Sequence, residues 1–293
     1  MQISRQLLKS LAEALTGEVT RLEAQDEHVR KILGDPLHID KDVYDGLSPA
    51  MQRLLGKQAG PSRPGDPATE AERLACECSF EHASNTYFKI SDAYRAIVPF
   101  RKTAAQEAIL EAWADEKIAG RLPRICVLQD RQQGTSTLAM LMMVWRAAFR
   151  QNEHFLAVSI DKGRAIGIFE IALRCFDLLP EWLRPKSIYR GEHVITFAHE
   201  TFSSSIRSIP YYSVESSLSK TKPLTGFYLS HAEYGLDFDK VLSIVDGLLI
   251  ESGQGFGIVS VGPEMDLLSH TALTDKRWRH VDIRSLRQET NRP

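Results

Sequence analysis

No stretch of this chain stays apolar long enough to cross a bilayer. The best, around Leu138–Val144, falls well short of the roughly 20 residues a spanning helix needs. Cysteine is scarce, at four in 293 residues. Cys76 and Cys78 stand one residue apart, which is not the spacing of a zinc knuckle, and with Cys126 and Cys175 they build no disulfide framework. Such thiols are expected to be reduced and largely buried in a cytosolic protein. The histidines other than His231 show no metal-ligand spacing. Neither sign of charge dominates: 36 Lys and Arg stand against 38 Asp and Glu. That balance excludes a histone-like polycation and an acidic disordered tail, though not a local basic groove. The opening residues, Met-Gln-Ile-Ser-Arg-Gln, lack the basic and apolar segments of a secretory leader. The remaining texture, 43% hydrophobic and 25% charged, is that of a globular chain able to bury its own core in one large or two modest domains.

Organisation changes along the chain. Leu7, Leu8, Leu11, Leu15, Val19 and Leu22 recur at helical spacing, and a second helical segment covers 48–57. These predict a helical N-terminal region over 1–58. Residues 60–67, Gly-Pro-Ser-Arg-Pro-Gly-Asp-Pro, break both helix and strand, so 59–72 reads as a Pro/Gly-rich linker. From 73 to 293 helix and strand patterns alternate. Helices are expected at 103–115, 136–150, 163–179 and 239–249. Strands are expected at 124–128, 155–160, 193–197, 205–209, 226–230 and 256–261. That alternation predicts an α/β domain with a mostly parallel sheet flanked by helices. Lys276, Arg277, Arg279, Arg284, Arg287 and Arg292 form a basic tail, read as a solvated surface helix or, more sharply, as a phosphate contact.

The segment from Val127 to Leu138 lies between an expected strand and an expected helix, where a phosphate-binding loop belongs. Gly134 can form its tight turn, main-chain amides can face an anion, and Ser136 or Thr137 can ligate Mg²⁺ in the first helical turn. The pattern G-x-x-x-x-G-K-[ST] asks for Gly at 129 and Lys at 135, where this chain has Gln129 and Thr135. On pattern alone, an ordinary strand–turn–helix with Ser/Thr capping fits equally well.

The segment Gln129-Asp-Arg131-Gln132-Gln133-Gly134-Thr135-Ser136-Thr137-Leu138 resembles the deviant phosphate loop of viral large terminases, Lys-x-Arg-Gln-x-Gly-x-Ser-Thr-Leu. Further segments resemble that family in order. Residues 97–106 are similar to its Pro-Phe…Gln segment, whose Gln reads adenine and corresponds to Gln106. Residues 157–162 resemble the strand after the loop helix, and 178–185 its Leu-Pro-x-x-x-Arg-Pro turn. Residues 226–234, Gly-Phe-Tyr-Leu-Ser-His-Ala-Glu-Tyr, resemble the acidic strand ending in Ser-Glu-x-Ala-aromatic. Residues 258–263 resemble the coupling segment that senses the γ-phosphate, placing Ser260 and Gly262 there. The resemblance covers about 97–263.

It implies a P-loop NTPase fold of the RecA-like (ASCE) type, with ATP and Mg²⁺ as cofactors. Nucleotide contacts fall on Gln106, Gln129, Arg131, Gln132, Gln133, Gly134, Thr135, Ser136 and Thr137. Ser136 and Glu233 become metal ligands, with Arg131, Glu233 and His231 as catalytic candidates. It also implies double-stranded DNA as substrate, a homo-oligomeric ring on a portal, a small terminase subunit or separate nuclease as partners, and action in the host-cell cytoplasm without a membrane. Two departures fall on the chemistry. The family's loop Lys is Gln129 here, and the glutamate after Ser230 is His231, with Glu233 two residues on and on the same strand face. Losing the Lys removes charge from the β/γ-phosphates, and the fork of Arg131 is no point-charge substitute. A surface His and Glu at a strand end is the plain alternative, and His231 is read more readily as a hydrogen-bonded structural residue than as a base. The short basic stretch after Pro263 shows no second α/β pattern, so the family's nuclease is not expected in this chain. Three functions stay open: a packaging ATPase, a catalytically impaired relative that binds nucleotide weakly or not at all and serves as an assembly or DNA-docking subunit, or a plain α/β protein with no nucleotide role.

Overall fold

The computed structural model describes residues 67–92, 94–199, 201–218, 223–230, 238–249, 255–262 and 274–286. The helices expected at 7–22 and 48–57 lie outside the described residues, as do His231, Glu233, Pro263, Arg287 and Arg292. The chain folds as two compact units. Of the described residues, one holds those from 67 to 100 together with Leu178–Pro185; the other holds Arg101–Asp177 and those from 186 to 286.

In the first unit, α1 (Pro67–Cys78) begins within the expected linker, with Pro67 in its first turn. Proline is tolerated there because that N–H has no intrahelical partner in any case. Ser79 ends α1 and caps α2 (Phe80–Thr86), accepting the His82 N–H at 3.1 Å. A hairpin of β1 (Lys89–Ser91) and β2 (Ile97–Pro99) follows. Tyr87 meets Trp182 edge-on, with ring centroids 5.6 Å apart.

The second unit is built on one sheet. Its elements are α3 (Ala104–Ile118), β3 (Arg124–Leu128), α4 (Thr135–Phe149), β4 (His154–Ser159), α5 (Lys162–Asp177), β5 (Ser187–Arg190), β6 (Val194–Phe197) and β7 (Ser204–Pro210). There follow α6 (Val214–Leu218), β8 (Gly226–Leu229), α7 (Phe238–Gly247), β9 (Phe256–Val261) and β10 (Arg279–Asp282). The strand order is β10-β3-β9-β8-β4-β7-β6-β5. The first six run parallel, and β6 and β5 close the far edge as an antiparallel pair. Strands β3, β4, β8 and β9 are buried almost throughout, which is why they read as unbroken apolar runs rather than alternations. Edge strand β5 is exposed along its whole length and carries Arg190, ion-paired to Asp177 at 2.7 Å.

Helix α4 explains its own sequence. From Leu138 to Phe149 every side chain is buried, so the helix is apolar nearly all round, the mark of a core helix. The exception, Arg146, pairs with Glu153 at 2.5 Å inside the core. A buried charge of this kind persists only when matched. The main core cluster joins Cys126, Leu156, Val158, Phe227, Leu229 and Val259 of the sheet to α7 and Trp278.

One expectation fails. The basic tail, expected as a surface helix, instead contributes β10 at Arg279–Asp282, parallel to β3. Among the described residues β10 is paired on one side alone, and its residues stay largely exposed, so no apolar pattern betrays it as a strand. None of the four cysteines is in a disulfide and three are buried, and burial alone pushes Cys126 up to about 12. Among the described residues no helix is long and apolar enough to cross a membrane.

Candidate functional site

The strand order places a site before any side chain is considered. From β3 the chain crosses to β4 on one side, whereas from β9 it passes to β10 on the other. Right-handed crossovers that run in opposite directions lie on opposite faces of the sheet, which leaves a crevice at the carboxyl ends of the strands. At that end of β3 lies the loop from Gln129 to Gly134, and β9 separates β3 from β8, the strand leading to Ser230 and the undescribed His231 and Glu233.

Gly134 is the corner of the loop. It caps α4 with φ 82° and ψ 12° and offers no side-chain hydrogen bond to the first turn. Two reasons favour glycine here: the left-handed backbone, and a Cβ position only 2.7 Å from Gln106 Nε2. Gln106 approaches because Thr103 and Gln106 form a capping box at the start of α3. Its Oε1 accepts the Thr103 N–H at 3.0 Å, and its Nε2 donates to the Gly134 carbonyl at 2.9 Å. The structure therefore brings Gln106 to the loop, but with both ends of its amide engaged by protein.

The loop is held from inside by its own glutamines. Buried Gln129 accepts a short hydrogen bond from the Thr135 hydroxyl, and its backbone N–H reaches the Val261 carbonyl of β9 at 2.9 Å. Buried Gln133 accepts the Asp130 N–H at 2.9 Å and donates to the Ile283 carbonyl at 2.6 Å. The stretch after β10 thus anchors the loop, a role that sequence spacing could not reveal across 150 residues. Arg131 and Gln132 point outward, exposed, and Gln132 takes a positive φ of 66°.

Behind the loop runs a chain of hydroxyls. Ser136 Oγ shares a hydrogen bond with Tyr228 Oη at 2.8 Å, and Tyr228 Oη shares another with Ser260 Oγ at 3.0 Å. Tyr228 is fully buried, and burial raises its phenol pKa, so it stays neutral and can donate. The candidate metal ligand Ser136 and the candidate coupling residue Ser260 therefore touch one phenol between them. Gly262 follows β9 and is buried; Thr137 is half-buried in the first turn of α4. Sequence reasoning missed Tyr228. Its signal was a hydroxyl-bearing residue inside a four-residue strand buried at every position, where a polar atom needs a partner.

At the opposite, amino-terminal end of β3 and β10 lies a groove of about 770 Å³. Arg121, Arg124, Lys276, Arg277 and Arg279 line it, with Trp278. Acids answer several of these cations: Arg121 meets Glu116, and Arg124 meets Asp246, each at 2.7 Å. Arg277 spans Asp275 and Asp246 at 2.7 and 3.2 Å and holds Asp275 below the usual carboxylate range.

By sequence the chain matches no family model and no curated protein. By structure it is similar to phage large terminases. The HK97 bacteriophage large terminase aligns over 61% of this chain and 36% of its own, with 16% identity and a TM-score of 0.45. The ATPase domain of the Thermus phage P74-26 large terminase aligns over 62% and 81%, with 14% identity and a TM-score of 0.46. The large terminase of another thermophilic bacteriophage, in complex with ATP-γ-S, aligns over 62% and 44%, with 10% identity and a TM-score of 0.44. The chain thus spans about a third of the HK97 protein's length.

Proposed function

We propose that this chain is a terminase-like ATPase that works in packaging viral DNA into capsids. The carrying observation is the strand–loop–helix cornered by left-handed Gly134, set at the carboxyl end of a parallel sheet where the connections diverge. The main-chain amides of the loop and the first turn of α4 receive the ATP phosphates. Ser136 and Glu233 hold Mg²⁺, and Glu233 orients the attacking water. Arg131 answers charge developing on the γ-phosphate, while Gln106, beside the loop, reads the base. Ser260 and Gly262 relay the state of the phosphates to β9. Double-stranded DNA is gripped through its phosphates, which takes cations but no base readout. The chain works as a ring of copies on a portal in the host-cell cytoplasm, with a small subunit or separate nuclease as partners.

The second reading, an impaired relative that docks or assembles, is supported by Gln129. Where the resemblance asks for a phosphate-binding Lys, a buried neutral amide is bonded to Thr135. One experiment separates the two. The purified protein is assayed for phosphate release from ATP with Mg²⁺, with and without duplex DNA, and for a change in melting temperature on adding ATP. A motor releases phosphate, and Arg131→Ala or Ser136→Ala abolishes it; turnover surviving in Glu233→Ala removes that residue from the mechanism. An impaired relative is stabilised by ATP but releases none until Gln129→Lys and His231→Glu are combined. Neither hydrolysis nor stabilisation overturns the motor and any nucleotide binding, and leaves only a relative that docks or assembles without nucleotide.

A further inference from the structure

Away from the loop, in the first unit, three side chains of different chemistry converge. Glu72 and Cys76 stand four residues apart on α1, hence on one face. His82 comes from α2, beyond the single residue Ser79 that separates the helices. One donor atom from each, the Glu72 carboxylate, the Cys76 thiol and a His82 ring nitrogen, lies within 4.8 Å of the other two.

We propose that Glu72, Cys76 and His82 form a zinc site that staples α1 to α2. The donor set is the first ground. Carboxylate oxygen, thiolate sulfur and imidazole nitrogen are the three ligand types Zn²⁺ takes, and hard cations such as Mg²⁺ or Ca²⁺ do not favour the thiolate. Geometry is the second. Tetrahedral zinc with ordinary bond lengths sets its ligand atoms about 3.4–3.6 Å apart. Glu72 Oε1 and His82 Nε2, now 2.6 Å apart, open by under about 1 Å to reach that spacing, and the Cys76 thiol, within 4.8 Å of both, closes by at most about 1.2 Å.

The surroundings fit as well. Cys76 is fully buried, whereas the side chains of Glu72 and His82 retain 20% and 15% exposure. An ion therefore has a path in, and a water can complete the fourth position. Tyr87 donates to Glu72 Oε1 at 2.9 Å and fixes the carboxylate from behind, as outer partners of metal ligands do. On ligation Cys76 gives up its thiol proton to solvent, and the binding energy adds to the stability of the helix pair. The spacing rules that assigned Cys76 and His82 no metal look for paired Cys-x-x-Cys or His-x-x-x-His; here one ligand of each kind is brought together from two helices across the turn that joins them.

The test uses the whole chain, stripped with chelator and then loaded with Zn²⁺ or Co²⁺ alone. One metal per chain should survive gel filtration, and the Co²⁺ form should show a near-ultraviolet thiolate charge-transfer band with the intense visible bands of a four-coordinate ion. Cys76→Ser should abolish the charge-transfer band, and His82→Ala should weaken Zn²⁺ binding by at least about tenfold. Cys78→Ser, on the same helix but outside the trio, should change neither. Failure of the wild type to retain metal, or persistence of the band in Cys76→Ser, overturns the site. If Cys76→Ser does not fold, the wild-type and Cys78→Ser spectra still decide: no band in the wild type, or a band lost in Cys78→Ser, overturns it.

Discussion

A single glycine shows how much one residue can determine here. Gly134 sits at φ 82° with its missing Cβ 2.7 Å from Gln106 Nε2. Alanine there meets two costs, the left-handed backbone and the displacement of an amide held by two hydrogen bonds. Gly134→Ala should destabilise the protein by about 1–3 kcal/mol, read as a fall in the urea midpoint. The two costs separate in a double-mutant cycle. In a Gln106→Ala background the clash is gone, so Gly134→Ala should cost about 1 kcal/mol less than in the wild type. Strict additivity would show that Gln106 does not press on the loop. The same pair explains why Gln106 stood out in the sequence, by resemblance, as a nucleotide contact while its bonding to the loop did not. Its spacing in the chain marks a motif, but the capping box that consumes its Oε1 depends on where Thr103 starts a helix.

Among the elements, β8 carries a contact that its sequence did not announce. Its residues Gly226–Leu229 read as an apolar strand delivering an acid, yet within the described residues its contribution is Tyr228, which joins α4 to β9 through Ser136 and Ser260. Tyr228→Phe keeps the ring and its packing and removes only the oxygen. The buried Ser260 hydroxyl and the half-buried Ser136 hydroxyl then lose a partner, a loss of about 1–3 kcal/mol. If the hydroxyl chain carries the state of the loop to β9, the variant should also uncouple the effect of DNA from phosphate release. Measured hydrolysis, stimulated by DNA to the same degree as in wild type, would leave Tyr228 a structural residue only. The segment after β10 belongs to the same scale. Through Gln133 it ties the loop to a strand that exposed, basic residues had disguised as tail.

For the molecule as a whole, one half-buried cation sets a dependence of stability on pH. Burial, then the nearby Arg146 and Arg150, bring Lys117 down from 10.5 to about 8, against the opposing pull of Glu153. Between about 8 and 10.5 the unfolded chain holds this proton and the folded one does not. Stability from this group therefore rises with pH across that window, and the cost of the charged form is constant below it. Lys117→Met should be more stable than wild type near neutrality, with the difference shrinking as pH climbs from 8 to 10.5. Urea titrations of both proteins across that range check it. A difference independent of pH would trace instead to packing, including the loss of the Lys117 ammonium 5.6 Å over Trp113.

Local pattern alone determined the buried strands and helices of the second unit. A strand covered on both faces is apolar at nearly every position, so Arg124–Leu128 and Phe256–Val261 stand out as apolar runs despite ion-paired Arg124 and hydrogen-bonded Ser260. The capping chemistry of α3 and the glycine corner before α4 are equally local, written in adjacent residues. The order of the strands is not local, because parallel neighbours are joined by crossovers rather than by turns. Only tertiary structure could set β10 beside β3, bring Gln133 to the Ile283 carbonyl, or place a phenol between two serines. The same holds for Glu72, Cys76 and His82. Their types and separations are ordinary in the chain, and they become a set of donors because a one-residue turn folds α2 back toward α1.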